Sequence, residues 1–112
     1  MKLAIIGSRT FNNYELMKTE VFPFINCDII LSGGAKGADN LAEKFAHQNN
    51  KKIVILKPQW HKFGKSAGLI RNIEIVKQSD LIIAFWNGQS KGTKHSIDTA
   101  KKMKKRIITI LY

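Results

Sequence analysis

Cysteine is almost absent from the sequence. Cys27 stands alone, so no internal disulfide can form, and with no HxxxH or CxxC spacing the chain offers no familiar metal-site pattern. A lone thiol points to a reducing, cytoplasmic setting. No run approaches the roughly 18 apolar residues of a membrane-spanning helix, which argues against a membrane partner. The opening MKLAIIGSRTF has too few apolar residues before its glycine for the roughly 7 to 15 of a signal-peptide core, so it reads as a first strand. Repeats, low-complexity tracts and linkers are missing as well, and 112 residues suffice for one core but not two. A single domain over 1–112 is expected. Acidic residues are scarce: 8 Asp and Glu stand against 19 Lys and Arg, a net charge of +11 that favours anionic partners without bearing on the fold. The densest basic cluster is Lys101, Lys102, Lys104, Lys105 and Arg106. It reads either as a solvated helix end suited to the macrodipole or as a contact for nucleic acid or an acidic partner.

What is present is a regular alternation. Short runs rich in Ile, Leu and Val at Lys2 to Ile6, Asp28 to Leu31, Ile53 to Leu56, Leu81 to Phe85 and Ile107 to Leu111 are too short for helices and do not alternate with polar residues. They read as buried strands. Between them, Ala38, Leu41, Ala42, Phe45 and Ala46 fall at helical spacing, as do Leu69, Ile70, Ile73 and Val76, and again Thr93, Ile97, Ala100 and Met103. Tyr14, Met17 and Val21 give a weaker first helix, which Pro23 should end. The order βαβαβαβαβ predicts an α/β, three-layer Rossmann-like fold: a five-stranded parallel sheet with helices on both faces.

The glycines are distributed unevenly on that scheme. Gly7, Gly33, Gly34, Gly37, Gly64, Gly68, Gly88 and Gly92 all follow a strand and lead into the next helix, and none sits in a return segment, where helix C-caps would favour one. Ligands of open parallel sheets bind beyond the carboxyl ends of the strands. Glycine lets a ligand approach the main chain there without meeting a Cβ. The neighbouring residues suit an anion. Ser8 and Thr10 carry hydroxyls and Arg9 a bidentate guanidinium. The segment GGAKGAD places Lys36 at a helix start, with Asp39 either a first-turn acid or an acceptor for a ribose hydroxyl. In KPQWHKFGKSAGLIRN, Trp60 can stack on a base or cap the core, and Lys62, Lys65 and Arg71 can meet phosphates. Gly92 and Thr93 open the last helix as a second anion cradle. The pieces match neither a P-loop nor GxGxxG.

Taken together, IIGSRTF, LSGGAKGADNLAEKFA, PQWHKFGKSAGLIRNIEIV and IIAFWNGQSKGTKHSID resemble the SLOG superfamily, and within it the small YspA or cpYpsA-like proteins, over nearly the whole chain. The resemblance implies binding of nucleotides or nucleotide-derived signalling molecules such as ADP-ribose relatives and cyclic nucleotides, by a sensor, carrier or sequestering protein, with no cofactor. It implies a ligand site made of Gly7, Ser8, Arg9, Thr10, Gly33, Gly34, Lys36, Gly37, Asp39, Trp60, Lys65, Arg71, Asn72, Asn87, Gly88, Gly92 and Thr93. A homo-oligomer is expected on the same ground. Related LOG phosphoribohydrolases carry PGGxGTxxE, with a catalytic arginine on the preceding helix. Arg71 matches that arginine, but Ser96 stands where the glutamate belongs, and Asp98 lies roughly 200° around the helix from it. An N-glycosidic hydrolase would therefore need a rearranged acid such as Glu74 or Asp98. His61 and His95, in rim segments, are further candidates for ligand contact or proton transfer. A third reading is single-stranded nucleic-acid binding, implied by the net charge and by the related DprA-like proteins.

Overall fold

Five apolar runs form the five strands of one sheet because each is flanked by an amphipathic helix that must bury its stripe against it. The computed structural model describes residues 1–112. In chain order the elements are β1 (Lys2–Gly7), α1 (Tyr14–Val21), β2 (Ile29–Ser32), α2 (Ala38–Gln48), β3 (Lys52–Ile55), α3 (Trp60–Phe63), α4 (Ala67–Gln78), β4 (Leu81–Trp86), α5 (Lys91–Lys102) and β5 (Arg106–Leu111). Single 3₁₀ turns occupy Phe22–Phe24 and Gly64–Ser66. All strand pairs are parallel and the order is β3-β2-β1-β4-β5. The chain runs outward from β1 through β2 to β3, then returns to β4 on the other side of β1. This reversal opens a crevice beyond the carboxyl ends of β1 and β4.

Alternate side chains of the central strands feed two cores. Leu3, Ile5, Ile30, Ile83 and Phe85 pack with Met17 and Val21 of α1 and Ala42 and Phe45 of α2. Ala4, Ile6, Leu31, Ile82 and Ala84 pack with Ile75 and Val76 of α4 and Ile97 and Ala100 of α5. Because β1 and β4 are buried on both faces, their sequences are continuous apolar runs. Helix α1 begins at Asn13, whose side chain accepts from Leu16 N–H at 3.0 Å, and ends where Pro23 opens the following turn. No helix is long and apolar enough to cross a membrane.

One helix is rotated from its expected setting. The stripe Leu69, Ile70, Ile73 and Val76 predicts those four side chains inward, yet Leu69, Ile70 and Ile73 are 49%, 36% and 38% exposed and only Val76 is buried. Residues spaced by four share a face, and the buried Ala67 and Ile75 define the inward line of α4. That line also carries Arg71, with Asn72 beside it above Val76. Helix α4 thus turns two polar residues toward the sheet end at the expense of its more apolar face. At the end of α5, Met103 likewise stands 39% exposed rather than closing its stripe.

Candidate functional site

The site begins with Ser8, the first residue beyond β1. It is buried, and its N–H donates to Phe85 O at 2.9 Å, while its carbonyl accepts from Phe11 N–H at 3.1 Å and Ala38 N–H at 3.3 Å. Its hydroxyl accepts from Asn87 N–H at 3.3 Å. Ser8 therefore ties the loops after β1, β2 and β4 into one platform, and its side chain serves the protein as much as any ligand. Thr10 stands on the rim, its hydroxyl 2.9 Å from the Tyr112 hydroxyl, and Phe11 packs edge-on against the Tyr112 ring.

Glycine is needed at Gly37, at the head of α2. Its φ is +75°, and a Cβ there would lie 2.4 Å from Arg9 O and 2.5 Å from Ser8 O. The close approach is made by the protein's own main chain. The same holds at Gly7, where a Cβ would meet Phe85 O at 2.5 Å, whereas at Gly33 it would meet a side chain, the Arg71 guanidinium at 2.6 Å. The glycine skew toward one rim is thus partly a consequence of loops packed backbone to backbone. Gly64, Gly88 and Gly92 face open space.

Arg71 reaches across from α4 to β2. Its Nη1 donates to Gly33 O at 2.7 Å and its Nε to Asn72 Oδ1 at 2.9 Å, while Asn72 Nδ2 donates to Gly92 O at 3.4 Å. These bonds hold the guanidinium over the strand ends and link it to the start of α5. Asp39 is 6% exposed and its Oδ2 accepts from Ala35 N–H at 3.1 Å. Burial pushes the Asp39 carboxyl above its ordinary range, against the opposing pull of the Ala35 N–H and the Arg71 charge. Burial pulls the Arg71 guanidinium down, opposed by Asp39 and aided by Arg9. At the fourth loop, Asn87 Oδ1 accepts from the N–H groups of Gln89 at 2.9 Å and Ser90 at 2.8 Å, and Ser90 caps α5 by accepting from Thr93 N–H. The N–H groups of Lys91 and Gly92, first in that helix, have no acceptor within it.

Two adjoining concavities result. A polar cavity of about 340 Å³ is lined by Gly7, Ser8, Arg9 and Thr10 from the first loop and by Gly33, Ala35 and Asp39 from the second. Arg71 and Asn72 come from α4, and Asn87, Ser90, Gly92, Thr93 and Ser96 complete its wall. A wider hollow of about 750 Å³ opens beside it, sharing Arg9, Gly33, Ala35, Arg71, Asn72 and Gly92 and adding Gly34, Lys36, Lys57, Trp60, Lys65, Gly68 and Leu69. Five cationic side chains, Arg9, Lys36, Lys57, Lys65 and Arg71, surround the hollow with no carboxylate in its lining. Trp60 is 56% exposed and projects into it instead of capping the core.

Of the seventeen residues expected at the site, Gly37 and Gly88 lie outside both linings. Gly37 is spent on packing the second loop against the first, and Gly88 makes a turn at φ +81°. The remainder come together. Sequence reasoning missed Ala35, Lys57, Ser90 and Ser96. Ser90 was readable as a helix cap three residues before Thr93, and Lys57 as a cation just beyond a strand end.

Ser96 is buried in the cavity wall with its hydroxyl toward Gly92 O at 3.4 Å. The acids expected to replace a glutamate there do not reach it. Glu74 borders a separate groove between β3 and α4, and Asp98 pairs with Lys94 at 2.8 Å on an exposed face. Asp39 is the one carboxylate in the cavity lining. His61 and His95 line neither concavity. The arrangement is equipped to hold an anion and a hydroxylated group.

No protein-family model matches the chain. Over 111 residues it is 36% identical to the Gene 61 protein of Mycobacterium phage D29, an alignment taking in 90% of this chain and 89% of that one. The chain belongs to the Gene 61 protein family. The fold of this family member is shared with DNA processing protein A (DprA) of Streptococcus pneumoniae, at a TM-score of 0.81 and 20% identity over 96% of this chain and 49% of that chain. DNA processing protein A of Helicobacter pylori, studied for its single-stranded DNA binding mode, superposes with a TM-score of 0.77 at 22% identity, over 97% and 64% of the two chains. The Gene 61 family member therefore spans about half to two thirds of these DprA structures, and the likeness establishes a common Rossmann-like α/β fold.

Proposed function

We propose that this Gene 61 family member binds a phosphorylated nucleotide or nucleotide-derived signalling molecule at the carboxyl rim of its sheet, acting as a sensor, carrier or sequestering protein. The observation that carries the reading is the pairing of a small polar cavity with a cationic hollow holding an exposed tryptophan. Phosphates suit Arg9, Lys36, Lys57, Lys65 and Arg71 together with the free N–H groups at the head of α5. A base suits the face of Trp60. On this reading the chain is a single SLOG-type domain over residues 1–112, of the YspA-like kind and cytoplasmic. Calorimetry against ADP-ribose, cyclic ADP-ribose, AMP and cyclic dinucleotides tests it. Binding at micromolar to millimolar concentration is expected, and folded protein that takes up none of them at millimolar concentration refutes it.

A second reading, single-stranded nucleic-acid binding, is favoured by the net charge of +11 and by the fold shared with a DprA protein that binds single-stranded DNA. Its signature is an affinity for oligonucleotides that falls steeply with salt as several phosphates release their counterions. N-glycosidic hydrolysis has less support, because neither Glu74 nor Asp98 borders the cavity and Ser96 fills the wall where the hydrolases place their glutamate. Release of free base from AMP, lost on Arg71→Ala, would reinstate it.

A further inference from the structure

We propose that Asp39 accepts a hydrogen bond from a ribose hydroxyl of the ligand, so that the site selects ribonucleotides over their deoxy counterparts. This inference rests on the nucleotide reading above and specifies its substrate class. It starts from an imbalance between the two concavities. The hollow is ringed by five cations and lacks a carboxylate, whereas the cavity shares only Arg9 and Arg71 of these and sets hydroxyl and amide side chains around one buried acid. A phosphate avoids the acid and settles among the cations. The group that lies against Asp39 must then be uncharged and able to donate, because an ionised carboxylate only accepts. A ribose attached to that phosphate meets both conditions.

The protein leaves Asp39 incompletely satisfied. Its Oδ2 receives Ala35 N–H; the Ser32 hydroxyl, which donates to the Asp39 backbone carbonyl at 3.4 Å, and the Gly33 N–H lie near enough to favour the charged carboxylate; and Arg71 directs its bonds to Gly33 O and Asn72 Oδ1. No ion pair with Arg71 forms within 4 Å, so the carboxylate retains accepting capacity on the cavity side. A deoxysugar would set a CH₂ against it and displace the water that otherwise solvates it. Leaving a buried acceptor unpaired in this way is costly, more so when it is charged.

The test compares AMP, 2′-deoxy-AMP and 3′-deoxy-AMP by calorimetry on the wild-type protein and on Asp39→Asn. The asparagine keeps an oxygen for Ala35 N–H and places an amide donor in the cavity, and thermal unfolding checks that the variant is folded. In the wild type at least one deoxy analogue should bind about 10-fold or more weakly than AMP, the range set by a hydrogen bond to a charged group. In Asp39→Asn that ratio should fall to within about twofold, mainly through weaker AMP binding. Equal affinities for all three nucleotides in the wild type overturn the inference while leaving nucleotide binding intact, as does discrimination that survives in folded Asp39→Asn. Failure of every nucleotide to bind the wild type overturns the parent reading and this inference with it.

Discussion

Replacing Gly37 by alanine separates what the glycine loops do for the fold from what they do for a ligand. Gly37 sits at φ +75° and ψ −124°, a region essentially reserved for glycine, and forcing another residue into it costs about 1–3 kcal/mol. The new Cβ would also lie within 2.4–2.5 Å of two backbone carbonyl oxygens, Arg9 O and Ser8 O, which cannot swing aside as a flexible side chain would. Overpacking of this kind costs about 1–3 kcal/mol in well-packed sites. With partial relaxation of the loops, a total near 3 kcal/mol is expected. A chain of 112 residues unfolds with an entropy that makes about 1 kcal/mol equivalent to about 4 °C, so the melting temperature should drop by about 12 °C. Urea unfolding followed by circular dichroism gives the free energy directly, with an unchanged m-value certifying a two-state comparison. Gly92→Ala is the control: its Cβ meets nothing within 4 Å and its position is helical, so it should gain about 0.5–1 kcal/mol from helix propensity. A loss below about 1 kcal/mol for Gly37→Ala, or a comparable loss for Gly92→Ala, would refute the argument that the loops after β1 and β2 are pinned backbone to backbone.

The same Gly92→Ala variant should weaken nucleotide binding despite its greater stability, since the added methyl stands at the head of α5 beside the free N–H groups; calorimetry shows it as a raised Kd, and an unchanged Kd counts against that anion cradle. Asp39→Asn should stabilise the protein at neutral pH. The folded-state pKa of Asp39 is raised by burial, so the protonated form favours folding fully below the unfolded value of about 3.9, and that contribution is lost as pH rises through the folded value. The variant's advantage should therefore be present at pH 7 and vanish below about pH 3.5, as read by urea unfolding across that range. Ile73→Glu, on the exposed face of α4, should change stability by no more than about 0.5 kcal/mol, whereas Ile75→Ala two residues on should cost about 2–4 kcal/mol; the reverse order would restore the stripe read from the sequence.

That stripe marks the limit of what the sequence made legible. Strand order along the chain, the three-layer fold and the position of the rim followed from apolar runs and glycine placement, because burial on both faces of β1 and β4 leaves no other reading. Helix α4 turns inward a face other than its apolar stripe, of which only Val76 is buried: the inward line runs from buried Ala67 past half-buried Arg71 to buried Ile75, and Arg71 and Asn72 look toward the sheet end. Periodicity rewards the more apolar face, and here the site overrides it. Most expected ligand residues come together for the opposite reason: loops leaving neighbouring parallel strands at one edge have nowhere else to go. What periodicity cannot carry is which side chains are already engaged. Ser8 and Asn87 carry the expected chemistry but are largely committed to holding loops, while Asp39 retains accepting capacity.

The glycines illustrate how fold and site share the same residues. The reversal of strand order brings the loops after β1, β2 and β4 to one point, where main chain must pass main chain with no room for a Cβ at Gly7 or Gly37. A platform assembled in that way is rigid before any ligand arrives, because Ser8 joins all three loops through its N–H, carbonyl and hydroxyl. Rigidity of this kind lowers the ordering cost of binding. The mobile complement is the exposed set of long side chains, Arg9, Lys36, Lys57 and Lys65, which can follow the phosphates of differently sized ligands while the cavity with Asp39 stays fixed. Selectivity should therefore reside in the sugar and affinity in the phosphates, so that adding a phosphate tightens binding through salt-sensitive contacts whereas removing a ribose hydroxyl weakens it by a factor independent of salt.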